Sequence, residues 1–183
     1  GSTDPQGAAY RQMAETAFRD YRLTVTGLVG TPVTLSLADL AALPSRTQIT
    51  RHDCVEGWSC VAKWQGVPLG TVLNLAKPRV TARYAVFHCY DAIERSLAGE
   101  VFYYESIDLI DAYHAQTILA YAMNGAPLPV ANGAPLRLRV ERQLGYKMAK
   151  YVHTIELTDS FAGLGFGRGS YWADRGYEWY AGI

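Results

Sequence analysis

An excess of charge of either sign is the first thing this 183-residue sequence lacks: seventeen lysines and arginines balance seventeen aspartates and glutamates. A chain without net charge has no global attraction for nucleic acid or for an anionic membrane surface, so any electropositive site has to be local. Uninterrupted apolar runs of about 18 residues, the length a membrane-crossing helix needs, are also missing. Cysteine is scarce. Cys54, Cys60 and Cys89 are odd in number and fit no disulfide framework. They follow no CxxC or CxxCH spacing, and they form no set that could hold an iron–sulfur cluster. At least one of them is therefore a free thiol or a ligand. No internal repeat is present, and the glycine-rich run Gly163–Gly169 has no βαβ unit around it, which makes it a turn-rich tail rather than a nucleotide loop.

What is there suffices for one core. About half of the residues are hydrophobic, enough for a single domain of this length. We expect an N-terminal helical extension over residues 1–20, with its helix at Ala8–Phe18, followed by one domain over residues 21–183. Leu23, Val25 and Leu28 alternate as in a half-buried strand. Ser36 and Asp39 form a capping-box pattern ahead of a short helix that ends before Pro44. Ile49–Val55 is expected to be extended, Gly66–Pro68 a turn into the apolar segment Leu69–Leu75, and Tyr84–Tyr90 a strand. Ile107–Met123 carries helical spacing and stops at Asn124–Gly125. Strands are expected at Leu136–Val140 and Val152–Leu157, and an irregular aromatic tail from Gly163. Helices and strands intermingle without a doubly wound rhythm, so the fold class is α+β with a mixed sheet.

Chemistry begins at Arg51-His52-Asp53-Cys54-Val55-Glu56-Gly57-Trp58-Ser59. In an extended chain His52 and Cys54 share a face, which would present a thiol to a cofactor. Taken alone, Cys54 is more often just a small buried residue. A second feature is the one charge asymmetry of the chain: between Asn132 and His153 stand Arg137, Arg139, Arg142, Lys147 and Lys150 against a single acid, Glu141. Such a cluster is a local anion site or a solvated basic face.

The segment CVEGWS, followed by Lys63-Trp64-Gln65-Gly66-Val67-Pro68-Leu69, resembles the stretch around the molybdenum-binding cysteine in bacterial members of the sulfite oxidase superfamily. Leu119–Pro129, Asn132–Leu138 and Gly145–Tyr151 continue the resemblance in the family's order and spacing, over roughly Tyr21 to Tyr177. It implies a sulfite oxidase-type molybdopterin-binding fold and a molybdenum-dependent oxidoreductase. The implied reaction is a two-electron oxygen-atom transfer on a small or sulfur-containing substrate. Molybdopterin offers a dithiolene-held metal and a terminal phosphate, so a protein must supply one soft ligand and a basic pocket. The resemblance assigns the metal to Cys54 and polar contacts with the pterin or its phosphate to Asn132 and Arg137. It gives backbone and lysine contacts to Gly145, Tyr146, Lys147 and Lys150. His52 touches the cofactor or is an ordinary strand histidine. Many relatives have histidine where this chain has Asn132, as the methionine sulfoxide reductase branch does not.

Animal and plant sulfite oxidases resemble the chain less, because Ser59 stands where they hold sulfite with an arginine, and nothing here matches their long β-sandwich extension. The short bacterial relatives, among them the reductase of protein-bound methionine sulfoxide, are more similar. The resemblance further implies a small-molecule or sulfoxide substrate and an external redox partner such as a cytochrome or a membrane haem protein. It implies a monomer, no nucleic acid, and periplasmic residence. Gly1 and Ser2 look like a cleavage scar, so the compartment rests on resemblance alone. Arg95, Tyr103, Tyr104 and the aromatic tail Trp172–Tyr180 are candidates for the rim of the pocket. Three other readings stand beside this one. One is a zinc site gathered from His52, Cys54, Cys60, His88 and Cys89, whose spacing fits no common pattern. Another is a cysteine hydrolase with Cys54 as nucleophile and His52, His88, His114 or His153 as base. The third is a non-catalytic member of the same fold that binds the cofactor or a partner without turnover.

Overall fold

The computed structural model describes every residue except Ala98. Its first helix, α1 (Ala8–Glu15), ends short of the expected Phe18 because Ala17 and Phe18 take left-handed φ values of 51° and 59° and turn the chain into β1 (Leu23–Gly27). β2 (Val33–Leu35) runs back along β1. The capping box then forms as expected and starts α2 (Leu37–Ala42). The Asp39 amide donates to Ser36 Oγ at 3.1 Å and the Ser36 amide donates to the Asp39 carboxylate at 2.8 Å. β3 (Arg46–Asp53) and β4 (Ser59–Pro68) pair in continuous antiparallel register.

The expected turn at Gly66–Pro68 is in fact the end of β4. Gly66 serves close approach instead, since a Cβ there would stand 2.0 Å from the Leu119 carbonyl oxygen. α3 (Leu69–Leu75) supplies three buried side chains, Leu69, Val72 and Leu73. The strand at Tyr84–Tyr90 is the first half of β5 (Tyr84–Ser96), which pairs along most of its length with β6 (Gly99–Asp108).

The helix expected over Ile107–Met123 does not exist. Ile107 lies in β6, a four-residue helix α4 (Leu109–Ala112) follows, and Ile118–Met123 is the strand β7. Two local devices explain the difference. The Asp108 carboxylate caps α4 by accepting from the Asp111 amide at 2.7 Å. Asn124 and Gly125, with φ of 53° and 84°, make a two-residue hairpin turn into β8 (Ala126–Pro127) rather than a helix end. The apolar run then has backbone partners on both sides, β4 on one and β9 (Arg137–Arg139) on the other. β10 (Val152–Thr158) completes the strands, and the tail from Gly163 is irregular apart from a 3-10 turn at Ala173–Arg175.

Two five-stranded sheets result. The first has the order β2-β1-β10-β5-β6 and is mixed, with β1 and β10 parallel; the second joins β3-β4-β7, with β8 and β9 both on the far side of β7. The main core draws Leu23, Val25, Phe87 and Ile155 from the first sheet, Val67, Leu119 and Leu138 from the second, and α3. Because strand side chains alternate, the odd positions of β7 and even positions of β9 that enter this core leave Ala120, Arg137 and Arg139 on the opposite face of the second sheet. Trp64 shares that face with Ala120 and Ile118 in a smaller apolar cluster. α1 is fastened to the domain by the buried Tyr10, whose hydroxyl donates to the Ala134 carbonyl at 2.6 Å and whose ring packs edge-on against Tyr151.

Candidate functional site

A cleft of about 660 Å³ opens over the second sheet's outward face. Its soft end is built by the β3–β4 turn. The Cys54 amide donates to the Trp58 carbonyl at 2.9 Å, the Gly57 amide donates back to the Cys54 carbonyl at 3.0 Å, and Gly57 takes φ of 89°. This turn needs glycine where the chain reverses. It leaves Cys54 partly exposed in the cleft beside Val55, Glu56 and Trp58. His52 pairs across the strands with Cys60, which also lines the cleft, and its ring stacks on Trp58 at 5.7 Å.

His52 is held from behind. Arg139, wholly buried, donates to its Nδ1 at 2.7 Å, pairs with Glu141 at 2.8 Å and lies 4.3 Å over the Trp64 ring. Gln48 closes this network with a 3.0 Å bond to Glu141. Burial, and then the Arg139 charge, pull the His52 pKa down to about 4, so the imidazole is neutral near neutrality. Gly145 belongs to the site by closeness alone. A Cβ there would meet His52 Nε2 at 2.3 Å.

The other end is basic. Arg137 donates through one guanidinium nitrogen to the Asn132 carbonyl at 2.9 Å and lies 5.0 Å over the Trp64 ring. Its Nε is buried with no hydrogen-bond partner among the described residues. Burial and the neighbouring Arg139 lower its pKa to about 9. Lys150 donates to the Ala131 carbonyl at 3.1 Å and also to that of Ser2, and burial followed by the Arg137 charge lowers its pKa to about 8. Gly133, with φ of 109°, lets the Val130–Asn132 turn close on these two side chains, since a Cβ would stand about 3.0 to 3.1 Å from both. A buried guanidinium with an unused donor is costly in the absence of an anion. The residues present therefore fit a ligand with a soft-metal end and an anionic end.

Seven of the eight expected site residues meet in this cleft: His52, Cys54, Asn132, Arg137, Gly145, Tyr146 and Lys150. The eighth, Lys147, does not turn its side chain to the cleft. Lys147 Nζ is fully buried in a 2.5 Å pair with Glu105 and lies 5.1 Å over the Trp179 ring, so its amine fastens the Gly145–Lys150 segment to β6. Of the rim candidates, Tyr103, Trp172 and Tyr177 line the cleft. Tyr104 is bonded to Asp174 at 2.6 Å and lines a different cavity, and Arg95 pairs with Glu100. Trp58, Cys60, Trp64, Met123 and Met148 were not foreseen. Alternation along β4 carries the signal for two of them, because Cys60 and Trp64 fall on the same side as His52 once the β3–β4 register is known.

Two of the competing readings find no support in this geometry. Among the described residues no group of three or more histidines, cysteines or acids is placed to hold a metal ion, which removes the zinc cluster. Each imidazole weighed as the base of a hydrolase has another polar partner, and among the described residues none is bonded to Cys54. His52 is bonded to Arg139, His88 to Glu156 at 2.9 Å, His153 to Thr154 at 2.9 Å, and His114 accepts from the Gln116 amide at 3.2 Å.

The profile of the oxidoreductase molybdopterin binding domain matches residues 10–163. The chain belongs to that family. With the family comes its cofactor, molybdopterin carrying molybdenum. Among relatives, a protein named as the protein-methionine-sulfoxide reductase subunit YedZ1 of Azospira oryzae is 40% identical over 171 residues, 93% of this chain and 59% of that protein. The protein-methionine-sulfoxide reductase catalytic subunit MsrP of Xanthomonas campestris is 35% identical over 164 residues, 86% of this chain and 49% of its own length. The chain thus spans about half to three fifths of these relatives. The sulfane dehydrogenase SoxCD of Paracoccus pantotrophus shares the fold, with a TM-score of 0.66 at 22% identity over 77% of this chain and 39% of that one. The sulfite oxidase-type α+β fold expected from the sequence is the fold found.

Proposed function

We propose that the domain is the catalytic unit of a molybdenum-dependent oxidoreductase that transfers an oxygen atom to or from a sulfur-containing substrate, with Cys54 as the protein's ligand to the metal. The observation that carries this reading is the meeting, in one cleft, of a partly exposed thiol with a buried guanidinium that has an unused donor. When bound, the cofactor supplies a metal that changes by two electrons and exchanges oxygen. The chain's own residues do the rest. Cys54 offers the soft ligand, Arg137 and Lys150 hold the anionic end, and Asn132 keeps Arg137 in place through its carbonyl. Arg139 keeps His52 oriented, and Tyr146, Tyr177 and Trp172 wall the mouth with rings 5.1 to 5.4 Å apart.

Substrate preference follows from the charge around Cys54. Its chain neighbours Val55, Glu56 and Trp58 also line the cleft, and the cleft's cations, Arg137 and Lys150, are given to the cofactor's anionic end in this reading. A sulfite dianion is then left without a cation of its own, whereas a neutral sulfoxide, the substrate in the names of the relatives, needs none. An external haem protein as electron partner and a periplasmic setting belong to the same proposal. Cys54→Ser tests it. The variant is expected to keep the fold and lose at least nine tenths of its turnover of a sulfoxide with an artificial electron donor. A rate equal to the parent's removes Cys54 from the metal.

A further inference from the structure

A second cavity, of about 730 Å³, lies on the outward face of the first sheet, between α1 and the tail at Leu164–Gly165. Its size is that of a small-molecule site. It touches the cofactor cleft only through Tyr103, which lines both, and nothing in the reading of Cys54 or Arg137 uses it. Its walls are aromatic: Tyr90, Phe102 and Tyr104 present ring surface, and His88 and His153 add imidazoles.

Charge narrows the class of ligand. No lysine or arginine is among the described residues that line the cavity, and the one charged side chain that does, Glu100, is paired with Arg95 at 3.1 Å. Behind His88 stands a second carboxylate, Glu156. An anionic ligand such as a phosphate ester or an aromatic carboxylate would leave water for a site without a cation to receive it. His153 adds none, because burial, and then His88, hold its pKa down to about 4.

Hydrogen-bonding capacity narrows it further. Most polar groups in the cavity are already engaged: the Tyr104 hydroxyl with Asp174, the Tyr103 hydroxyl with the Tyr146 carbonyl, and His153 with both Thr154 and the Cys89 backbone. Among the described residues two are left. With Glu156 accepting at His88 Nε2, Nδ1 stays an acceptor without a partner, and the Tyr90 hydroxyl has none. Burial keeps that phenol protonated and therefore a donor. Both side chains leave β5 from alternate positions on one face, their Cα atoms roughly 6.5 to 7 Å apart along the strand. One acceptor and one donor on neighbouring outward positions of a cavity walled by rings suit a single aromatic ring that carries oxygen at both ends.

We propose that this cavity binds a neutral hydroquinone-class ligand, one hydroxyl donating to His88 Nδ1 and the opposite oxygen accepting from Tyr90. The site does not depend on the cofactor, so the test uses the whole chain and reads binding rather than turnover. Ligand-observed NMR titration with hydroquinone is expected to show saturable binding. His88→Ala and Tyr90→Phe should each weaken it at least fivefold, as should Phe102→Ala at a half-exposed wall position whose loss leaves the core intact. 4-Hydroxybenzoate, the same ring with a carboxylate, is expected to bind at least tenfold more weakly. Absence of saturable binding to the folded parent chain overturns the proposal. So does binding that survives all three substitutions, or equal affinity for the carboxylate.

Discussion

Arg137 and Arg139 stand two residues apart on β9, on the same face and both over the Trp64 ring, yet the structure uses them differently. Arg139 is fully engaged, with Glu141, His52 and Thr50 as partners. Arg137 has two backbone carbonyls and a buried Nε with nothing to bond. The same contrast recurs in the next loop: Lys147 is buried against Glu105, whereas Lys150 lines the cleft, bonded to the Ala131 and Ser2 carbonyls and 5.2 Å over the Tyr151 ring, with no carboxylate in direct contact among the described residues. A buried cation with a counter-charge is framework. One without a counter-charge is costly as it stands, and under the proposal it is where the cofactor's anionic end would sit.

Breaking the paired members should give the largest effects. Glu141→Ala leaves the Arg139 charge buried and alone, and denaturant unfolding of the cofactor-free protein is expected to show a loss of about 3–5 kcal/mol. Lys147→Met should cost less. Its partner Glu105, whose pKa burial already raises, can take up a proton and become neutral. The unpaired members should behave in the opposite way. Arg137→Met is expected to leave the unfolding midpoint unchanged or slightly higher, while retention of the pterin cofactor falls at least tenfold, about 1.4 kcal/mol. Equal stability losses for Arg137 and Glu141 variants would erase the distinction.

A last effect is one of pH. His52 and His153 have pKa values lowered from 6.5 to about 4, so between these values the unfolded chain binds more protons than the folded one. Their contribution to stability is complete above pH 6.5 and is lost as pH falls toward 4. His153→Gln should flatten part of that acid slope in melting temperature. The parent slope persisting unchanged would place the titrating groups elsewhere.

The legible part of the molecule was the part with chemical labels. Cys54, Arg137 and Lys150 stand out in the sequence because a thiol and a run of cations in a neutral chain have few uses, Asn132 is singled out by the family resemblance alone, and the structure brings all four into one cleft. The capping box at Ser36 was equally plain, since it depends on neighbours in sequence. Residues 107–123 read as a helix in the sequence because Leu109, Ala112 and Ile118–Met123 satisfy a helical spacing. Asp108, and the hairpin turn at Asn124–Gly125, decide otherwise only once β4 and β9 are there to receive the strand. Lys147 was misplaced for a related reason. Its counter-ion Glu105 lies 42 residues away, and no local pattern announces such a pair. Trp64, within 5.0 Å of two guanidiniums, likewise becomes visible only through sheet register.

The central claim is that this cleft holds molybdopterin with its metal on Cys54 and its anionic end on Arg137. Elemental analysis of protein from a host that makes the cofactor, together with fluorescence of the oxidised pterin released by acid, tests it most directly. The account predicts close to one molybdenum and one pterin per chain, with molybdenum lost in Cys54→Ser and pterin depleted in Arg137→Met. Protein that carries neither, or that holds both undiminished after either substitution, would contradict it.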